Sequence, residues 1–525
     1  HNLDKEADTL EQFYASVEDR AEGIDDASAK QKIIVELYDK FFRNAFPKMT
    51  ERLGIVYTPV EVVDFIIHSV NDLLQKEFGQ TLGSEGVHIL DPFTGTGTFI
   101  TRLLQSGLIS KEQLEHKYKN EIHANEIVLL AYYIAAINIE AVYHSLMGKQ
   151  DKAGDLTHYE PFKGICLTDT FQLYEKDDLI QERLTDNSQR RIRQKNLENI
   201  QVIVGNPPYS ASQSSENDNN KNLEYVNLDE RIRTTYADSS SGILKNSLYD
   251  SYIRAIRWAS DRIENKGIVG FVTNAGFLEG NTADGLRKCL AEEYSNIYVF
   301  HLRGNQRTSG ELSRKEGGKI FGSGSRAPIA ITLLVKNPES KDQGKIYWHD
   351  IGDYLSQQKK LDIIKDFKSI NAISKGNLWD EIVPNNYYDW INQRDDRFYD
   401  FDIIGDKKNL NKNTIFVNYS SGVKTNRDAW CYNYSNNQLS KKMSSMIDFY
   451  NSEVSRYEAA DKNQITDLSA FLNSDPTKIS WTREVKENLA RLNHRQFRNN
   501  GLRQAHYRPF TKTWFYFVAI YFCMI

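Results

Sequence analysis

Short, nearly continuous apolar runs punctuate the chain, each about the length of a strand and each bounded by turn formers. They are His88-Ile89-Leu90, Val202-Ile203-Val204-Gly205, Gly267-Ile268-Val269-Gly270-Phe271-Val272-Thr273, Ile297-Tyr298-Val299-Phe300 and Ile329-Ala330-Ile331-Thr332-Leu333-Leu334-Val335. Between them apolar residues recur at helical spacing, as in Val62, Val63, Ile66 and Ile67, or Ile100, Leu103 and Leu104. Runs that are apolar throughout need burial on both faces, so the alternation predicts an α/β fold with a doubly wound sheet over residues 51–339. Residues 1–50 carry Ile33, Leu37, Phe41, Phe42, Ala45, Phe46 and Met49 at helical spacing, which predicts a helical segment. After about residue 340 the composition shifts to Tyr, Asn, Asp and Trp in mixed short patterns, and residues 340–525 are expected to form a separate α+β region.

Two strand ends carry the candidate chemistry. Asn206-Pro207-Pro208-Tyr209 directly follows the second apolar run. The prolines end that strand in a stiff, extended turn. An amide, a backbone carbonyl and an aromatic ring are thereby fixed at the carboxyl edge, where open α/β sheets bind ligands. Such a turn suits a planar amine. The Asn206 oxygen and the Pro207 carbonyl can accept its N–H groups while Tyr209 stacks on the ring that bears it.

Upstream, His88-Ile89-Leu90 runs into Asp91-Pro92-Phe93-Thr94-Gly95-Thr96-Gly97-Thr98-Phe99 and then a helical pattern. Strand, glycine loop and helix let a nucleotide-like ligand approach the backbone. A dinucleotide fingerprint wants a third glycine where Ile100 stands, and no Gly-Lys-Ser/Thr follows to make a P-loop. What remains is a loop with an acid at the strand end, able to hold a cationic amino group. Thr58-Pro59 with Glu61 reads as a helix start, Thr58 being the N-cap.

Taken together these motifs resemble the S-adenosylmethionine-dependent DNA adenine-N6 methyltransferases of the gamma motif order. The resemblance implies a Rossmann-like methyltransferase sheet and assigns roles. Tyr57, Thr58 and Pro59 stand for the amino-terminal cofactor motif; Asp91, Phe93, Thr94, Gly95, Gly97 and Thr98 for the glycine loop. Glu126 takes the ribose hydroxyls, and Asp169 lies near the cofactor's adenine. Asn206, Pro207, Pro208 and Tyr209 form the catalytic motif, with Asn206 also at the cofactor. No metal is implied, because a sulfonium methyl donor is already an activated electrophile. Residues 106–118 read as a helical insertion between the glycine loop and Glu126.

A narrower resemblance rests on Asn206 to Ala211, Lys245-Asn246-Ser247-Leu248-Tyr249-Asp250-Ser251-Tyr252, Leu302-Arg303-Gly304-Asn305 and the stretch from Tyr419 to Trp430. These resemble the methyltransferase and target-recognition portion of single-polypeptide, Type I-like (Type ISP) restriction-modification enzymes. The resemblance implies double-stranded DNA as partner and a nuclease-translocase module, fused or associated, before this region. With His1 first and an apolar tail from Phe515 to Ile525, the chain reads as part of a longer protein whose recognition region is truncated.

Composition modifies this picture in three places. Four widely spaced cysteines without a Cys-x-x-Cys pair point to a reducing cytoplasm and away from structural zinc. No apolar stretch is long enough for a membrane helix. A net charge of −5 is unfavourable for DNA, but only the facing surface matters. Arg483, Arg491, Arg495, Arg498, Arg503 and Arg508, interleaved with His494, His506 and Tyr507, are the candidate DNA contacts. Residues 210–241, rich in Ser and Asn, are expected to form a functional polar loop beside the catalytic turn. Phe277 is a candidate second stacking surface, although core packing competes. Asn-Pro-Pro-Tyr also suits RNA guanine or protein glutamine as acceptor, and a DNA-binding subunit that has lost catalysis is the reading from a different class.

Overall fold

The computed structural model describes residues 58–148, 159–175, 185–208, 225–242, 245–321, 326–406, 413–419, 423–425, 427–461, 468–473, 475, 477–507, 511–518 and 523–524. These fall into two compact units, the first ending at Arg394 and the second following from Asp395. The helical segment expected over 1–50 lies outside the described residues, as do Tyr57, Tyr209 and Arg508.

A nine-stranded sheet of order β3-β2-β1-β4-β5-β7-β6-β8-β9 organises the first unit. Its strands are β1 (His88–Asp91), β2 (Ile122–Glu126), β3 (Ile165–Leu167), β4 (Ile200–Gly205), β5 (Gly267–Asn274), β6 (Asn296–Arg303), β7 (Ile329–Lys336), β8 (Lys345–Asp350) and β9 (Asp380–Ile382). β7 is antiparallel to both β5 and β6, and β9 is antiparallel to β8; the other neighbours pair in parallel. The carboxyl ends of β1 to β6 therefore share one edge. Strand order reverses between β1 and β4, which opens a crevice there.

Each expected apolar run is a strand because its residues alternate between two cores. Ile89, Val202, Val204 and Ile268 pack with α1 (Val60–Phe78), α2 (Thr98–Gln105) and α3 (Leu129–Met147) on one face. Leu90, Ile203 and Val269 face the other side. There they meet α5 (Val226–Ile232), α6 (Ser251–Arg262) and α7 (Asp284–Glu293), while α4 (Thr185–Lys195) leads into β4. The insertion over 106–118 is helical at Lys111–His116 and continues as a π turn at Lys117–Glu121.

Three expectations change. The boundary near residue 339 falls inside the sheet, because β8 pairs with β6 and β9 with β8, so residues 340–394, with α8 (Gln357–Phe367) among them, belong to the first unit. Thr58 is not the N-cap of α1: Pro59 holds that position without a side-chain cap bond, and the Thr58 hydroxyl is engaged elsewhere. The polar stretch 210–241 is a loop only in part, since Val226–Ile232 is helical and Leu228 and Ile232 are buried; residues 210–224 lie outside the described residues.

The second unit is α+β, as expected. Its strands β11 (Tyr432–Asn433), β13 (Thr511–Tyr516) and β12 (Leu502–Tyr507) form an antiparallel sheet. Phe515 and Tyr516 pack against Met443, Met446, Ile447 and Tyr450 of α9 (Asn436–Ala459) and Val485 and Leu489 of α10 (Arg483–Ala490). Within the expected apolar tail, β14 (Cys523–Met524) pairs antiparallel with β10 (Val423–Lys424). Among the described residues no helix is long and apolar enough to cross a membrane.

Candidate active site

Asp91 ends β1 and is 1% exposed. Its Oδ1 accepts the Phe93 amide at 3.1 Å, while Oδ2 is buried without a hydrogen-bond partner among the described residues. Burial pushes the carboxyl pKa up to about 8. A buried acid left half-satisfied at a strand end is costly unless a donor or cation joins it.

The loop after Asp91 is folded onto β2. Thr94 donates from Oγ1 to the Asp91 carbonyl at 2.9 Å and from its amide to the Asn125 carbonyl at 3.0 Å. Gly97, at φ +87°, turns the chain into α2, and a Cβ there would lie 3.3 Å from Ala135 Cα and carbonyl in α3, so a side chain at this position would be strained and tightly packed. Gly95 is different: at φ +56° it has nothing within 4 Å of where a Cβ would be. The loop thus packs at Gly97 and is open at Gly95. Thr98 begins α2.

Glu126 ends β2 beside this opening. Its Oε2 accepts the Gly95 amide at 2.8 Å and its Oε1 the Val128 amide at 2.7 Å. Burial raises its pKa to about 7 despite those donors. The segment after β3 joins the same corner: the Thr168 amide donates to the Glu126 carbonyl at 2.9 Å, and the Thr170 hydroxyl donates to the Pro92 carbonyl. Phe93 lies between Phe171 and Phe271, with ring centroids 5.6 and 6.4 Å away. Asp169 accepts the Phe171 amide at Oδ1, 2.9 Å, and the Tyr225 hydroxyl at Oδ2, 2.7 Å.

Asn206 leaves β4 next to these groups. Its Nδ2 donates to Thr58 Oγ1 at 2.8 Å, which makes Oδ1 the acceptor side of the amide. A Cβ added to Gly205 would lie 3.1 Å from Asp91 Oδ1, so the turn that carries Asn206 begins against the acid of the glycine loop. Pro59 and Pro207 are buried and Pro208 half-buried. The first unit therefore gathers Thr58, Asp91, Gly95, Glu126, Asp169 and Asn206 at one edge, although the chain separates Thr58 and Asn206 by 148 residues. Phe277 is 1% exposed and packs against Tyr252 and Trp390, so it is a core residue here. Sequence reasoning missed two participants, the Thr58 hydroxyl as partner of Asn206 and Tyr225 as partner of Asp169. No local pattern marks either one.

In the second unit the candidate arginines do not behave alike. Arg491, Arg498 and Arg503 are exposed. Arg495 is half-buried, and its guanidinium donates to Asn488 Oδ1 at 2.6 Å. Arg483 opens α10, its side chain lying outside what is described. On β12, Arg503, Gln504 and His506 are exposed, with Gln504 and His506 on the face opposite Arg503.

Comparison with known proteins follows the same division. Residues 107–307 match the Eco57I restriction-modification methylase model, and residues 414–525 match the Type ISP C-terminal specificity domain. Over 98% of its length the chain is 46% identical to a nuclease-deletion mutant of the Type ISP restriction-modification enzyme LlaGI in complex with a DNA substrate mimic, covering 41% of that chain at a TM-score of 0.84. Against the ATP-dependent Type ISP restriction-modification enzyme LlaBIII bound to DNA the identity is 43%, over 99% of this chain and 34% of that one, with a TM-score of 0.85. A DrdV–DNA complex gives 36% identity, 100% and 50% coverage, and a TM-score of 0.85. The sequence is also 22% identical over 355 residues, 66% of this chain and 52% of the relative, to Type II methyltransferase M.BanIII of Aneurinibacillus aneurinilyticus. The chain spans about half or less of the length of each of these proteins. Across nearly all of its own length, then, it resembles the methyltransferase and specificity portion of the Type ISP restriction-modification enzymes.

Proposed function

We propose that the first unit transfers a methyl group from S-adenosylmethionine to N6 of an adenine turned out of duplex DNA, as the modification activity of a restriction-modification system. The observation that carries this reading is the joining of the amine-binding turn to the glycine loop: Asn206 is bonded to Thr58, and Gly205 abuts Asp91.

The residues fit the cofactor. Asp91, with a buried oxygen that has no partner among the described residues, suits the cationic amino group, and the open backbone at Gly95 admits the nucleoside. Glu126, fixed by two amides, retains lone pairs for the ribose hydroxyls. Asp169 faces the adenine in this assignment, with Tyr57, Thr58, Pro59 and Phe93 completing the pocket. When bound, S-adenosylmethionine supplies a methyl group on a sulfonium, an electrophile that needs no further activation.

The chain's own contribution is to orient the acceptor. Asn206 Oδ1 and the Pro207 carbonyl accept the amine's N–H groups and direct the nitrogen lone pair away from the ring. Holding reactants in a near-attack geometry supplies several kcal/mol of the barrier reduction, on the order of 7–11 kcal/mol in the best oriented systems. Extracting an adenine costs roughly a few kcal/mol, and stacking on Tyr209 recovers about 1–3 kcal/mol of it. The second unit reads the target sequence with Arg483, Arg491, Arg498, Arg503 and Arg508 as phosphate or base contacts, while Arg495 braces α10. A nuclease-translocase module, fused or associated, completes the proposed system.

A labelled-methyl assay on the 525-residue chain tests the reading. Label should enter duplex DNA as N6-methyladenine, with none in RNA or in protein glutamine. Label found in RNA or protein instead would transfer the function to one of those acceptors. Cofactor binding without any transfer would favour a DNA-binding subunit.

A further inference from the structure

Tyr225 directly precedes α5, and it is held by contacts from several elements. It is 7% exposed. Its ring meets Phe171 edge-on, centroids 5.2 Å apart at 70°, and the Arg254 guanidinium lies 5.3 Å from its centroid. Arg254 is bidentate to Asp229 at 2.7 and 2.8 Å, and Asp229 in turn accepts the Tyr225 amide at 3.1 Å. Two residues on, the Asn227 and Leu228 amides donate to Glu175 at 2.9 and 3.1 Å. Two carboxylates of the segment after β3, Asp169 and Glu175, thus clamp the start of α5.

At Asp169 the division of labour is specific. Oδ1 is taken by the Phe171 amide at 2.9 Å and the Gln172 amide at 3.4 Å, whereas Oδ2 accepts only the Tyr225 hydroxyl, at 2.7 Å, among the described residues. A carboxylate oxygen has two lone pairs, so Oδ2 keeps one for another donor, in a direction that the phenol sets. Burial, followed by the adjacent Asp169 carboxylate, pushes the Tyr225 phenol far above its ordinary pKa, so it stays a donor at any working pH.

We infer that Tyr225 is a positioning residue for the cofactor's nucleobase: its hydroxyl holds Asp169 so that Oδ2 presents one lone pair to the exocyclic amine of adenine. This rests on the proposed placement of that adenine beside Asp169. It also ties nucleobase recognition to the anchor of the segment that follows the catalytic turn.

The test is equilibrium binding by calorimetry of S-adenosylmethionine and of its inosine counterpart, which carries a carbonyl in place of the amine. The wild-type chain should prefer the amine by at least about tenfold, since a site built for a donor rejects an acceptor. Tyr225→Phe, which keeps the ring packing, should weaken S-adenosylmethionine about tenfold and shrink that preference at least about threefold. Asp169→Asn should abolish the preference. If Asp169→Asn leaves it intact, the adenine is not at Asp169, and the placement and the inference fall together. If Asp169→Asn removes the preference while Tyr225→Phe retains it in full, only the inference falls. Should Tyr225→Phe not fold, hydrogen exchange on the wild-type chain decides. At saturation, S-adenosylmethionine should slow the Asn227 and Leu228 amides more than the inosine analogue does. Equal slowing by both overturns the inference.

Discussion

The two compact units set their polar residues in different ways. In the first, Asp91, Glu126 and Asn206 stand at or just beyond strand ends, and each is fixed by a bond of 2.7–3.1 Å to its surroundings. In the second, the arginines are spread over a helix, a loop and a strand. Arg491, Arg498 and Arg503 reach solvent, while Arg495 is drawn back onto Asn488. Under the proposed function, the contrast separates chemistry that requires fixed geometry from contact that requires charge on a surface. A carboxylate or amide used at one atom of a small ligand has to be pre-oriented. Phosphate contacts tolerate long, mobile side chains, because the attraction is long-ranged and screened by salt.

Replacing Asn206 should break the comparison most strongly. Asn206→Ala is expected to lower the transfer rate roughly 10²–10⁴-fold, as loss of a pre-oriented polar group does, with S-adenosylmethionine still bound in calorimetry. A variant that keeps more than about a tenth of wild-type turnover would remove Asn206 from its role.

The next effect concerns pH. Burial raises the Asp91 carboxyl from 3.8 to about 8 and the Glu126 carboxyl from 4.5 to about 7. A carboxyl with a higher pKa folded than unfolded binds more protons in the native state, so stability falls with rising pH between the two values. The melting temperature of the cofactor-free chain should therefore decline from about pH 4 to about pH 8, and Asp91→Asn should flatten that decline while weakening cofactor binding. Identical slopes for variant and wild type would show that Asp91 is not the buried acid the structure describes.

The smallest effects belong to the second unit. Arg498→Ala and Arg503→Ala should each weaken DNA binding modestly and reduce the slope of log affinity against log salt by about 1, without changing cofactor affinity. Arg495→Ala should instead lower thermal stability. If Arg495→Ala alters the salt slope as much as the other two, the division between surface contact and internal brace is wrong.

Legibility in the sequence follows the same divide. Strands β1, β4, β5, β6 and β7 were readable because each is an apolar run with turn formers at its ends, a short-range signal. Asp91 and Asn206 were readable because glycine and proline mark the turns that hold them. β8 was not. It is mostly half-buried, reads as mixed polar and apolar, and so looked like the start of another region, although it pairs in parallel with β6. Thr58 looked like a helix cap because a local rule fits it, but a partner 148 residues away holds its hydroxyl. The same holds for Tyr225, whose partner Asp169 lies 56 residues back.

By itself, then, the order of apolar runs and of glycine and proline turns determined five of the sheet's strands, β1 and β4 to β7, and the acid that ends β1 and the amide that follows β4 at its carboxyl edge. Backbone sterics and burial act between near neighbours, and near neighbours are what a sequence displays. Only the tertiary structure decided that Asp91 Oδ2 has no hydrogen-bond partner among the described residues, that Thr58 bonds Asn206, that Tyr225 bonds Asp169 and which arginines face water. Hydrogen bonds and desolvation depend on distances in space, and those are set only when distant strands are brought side by side.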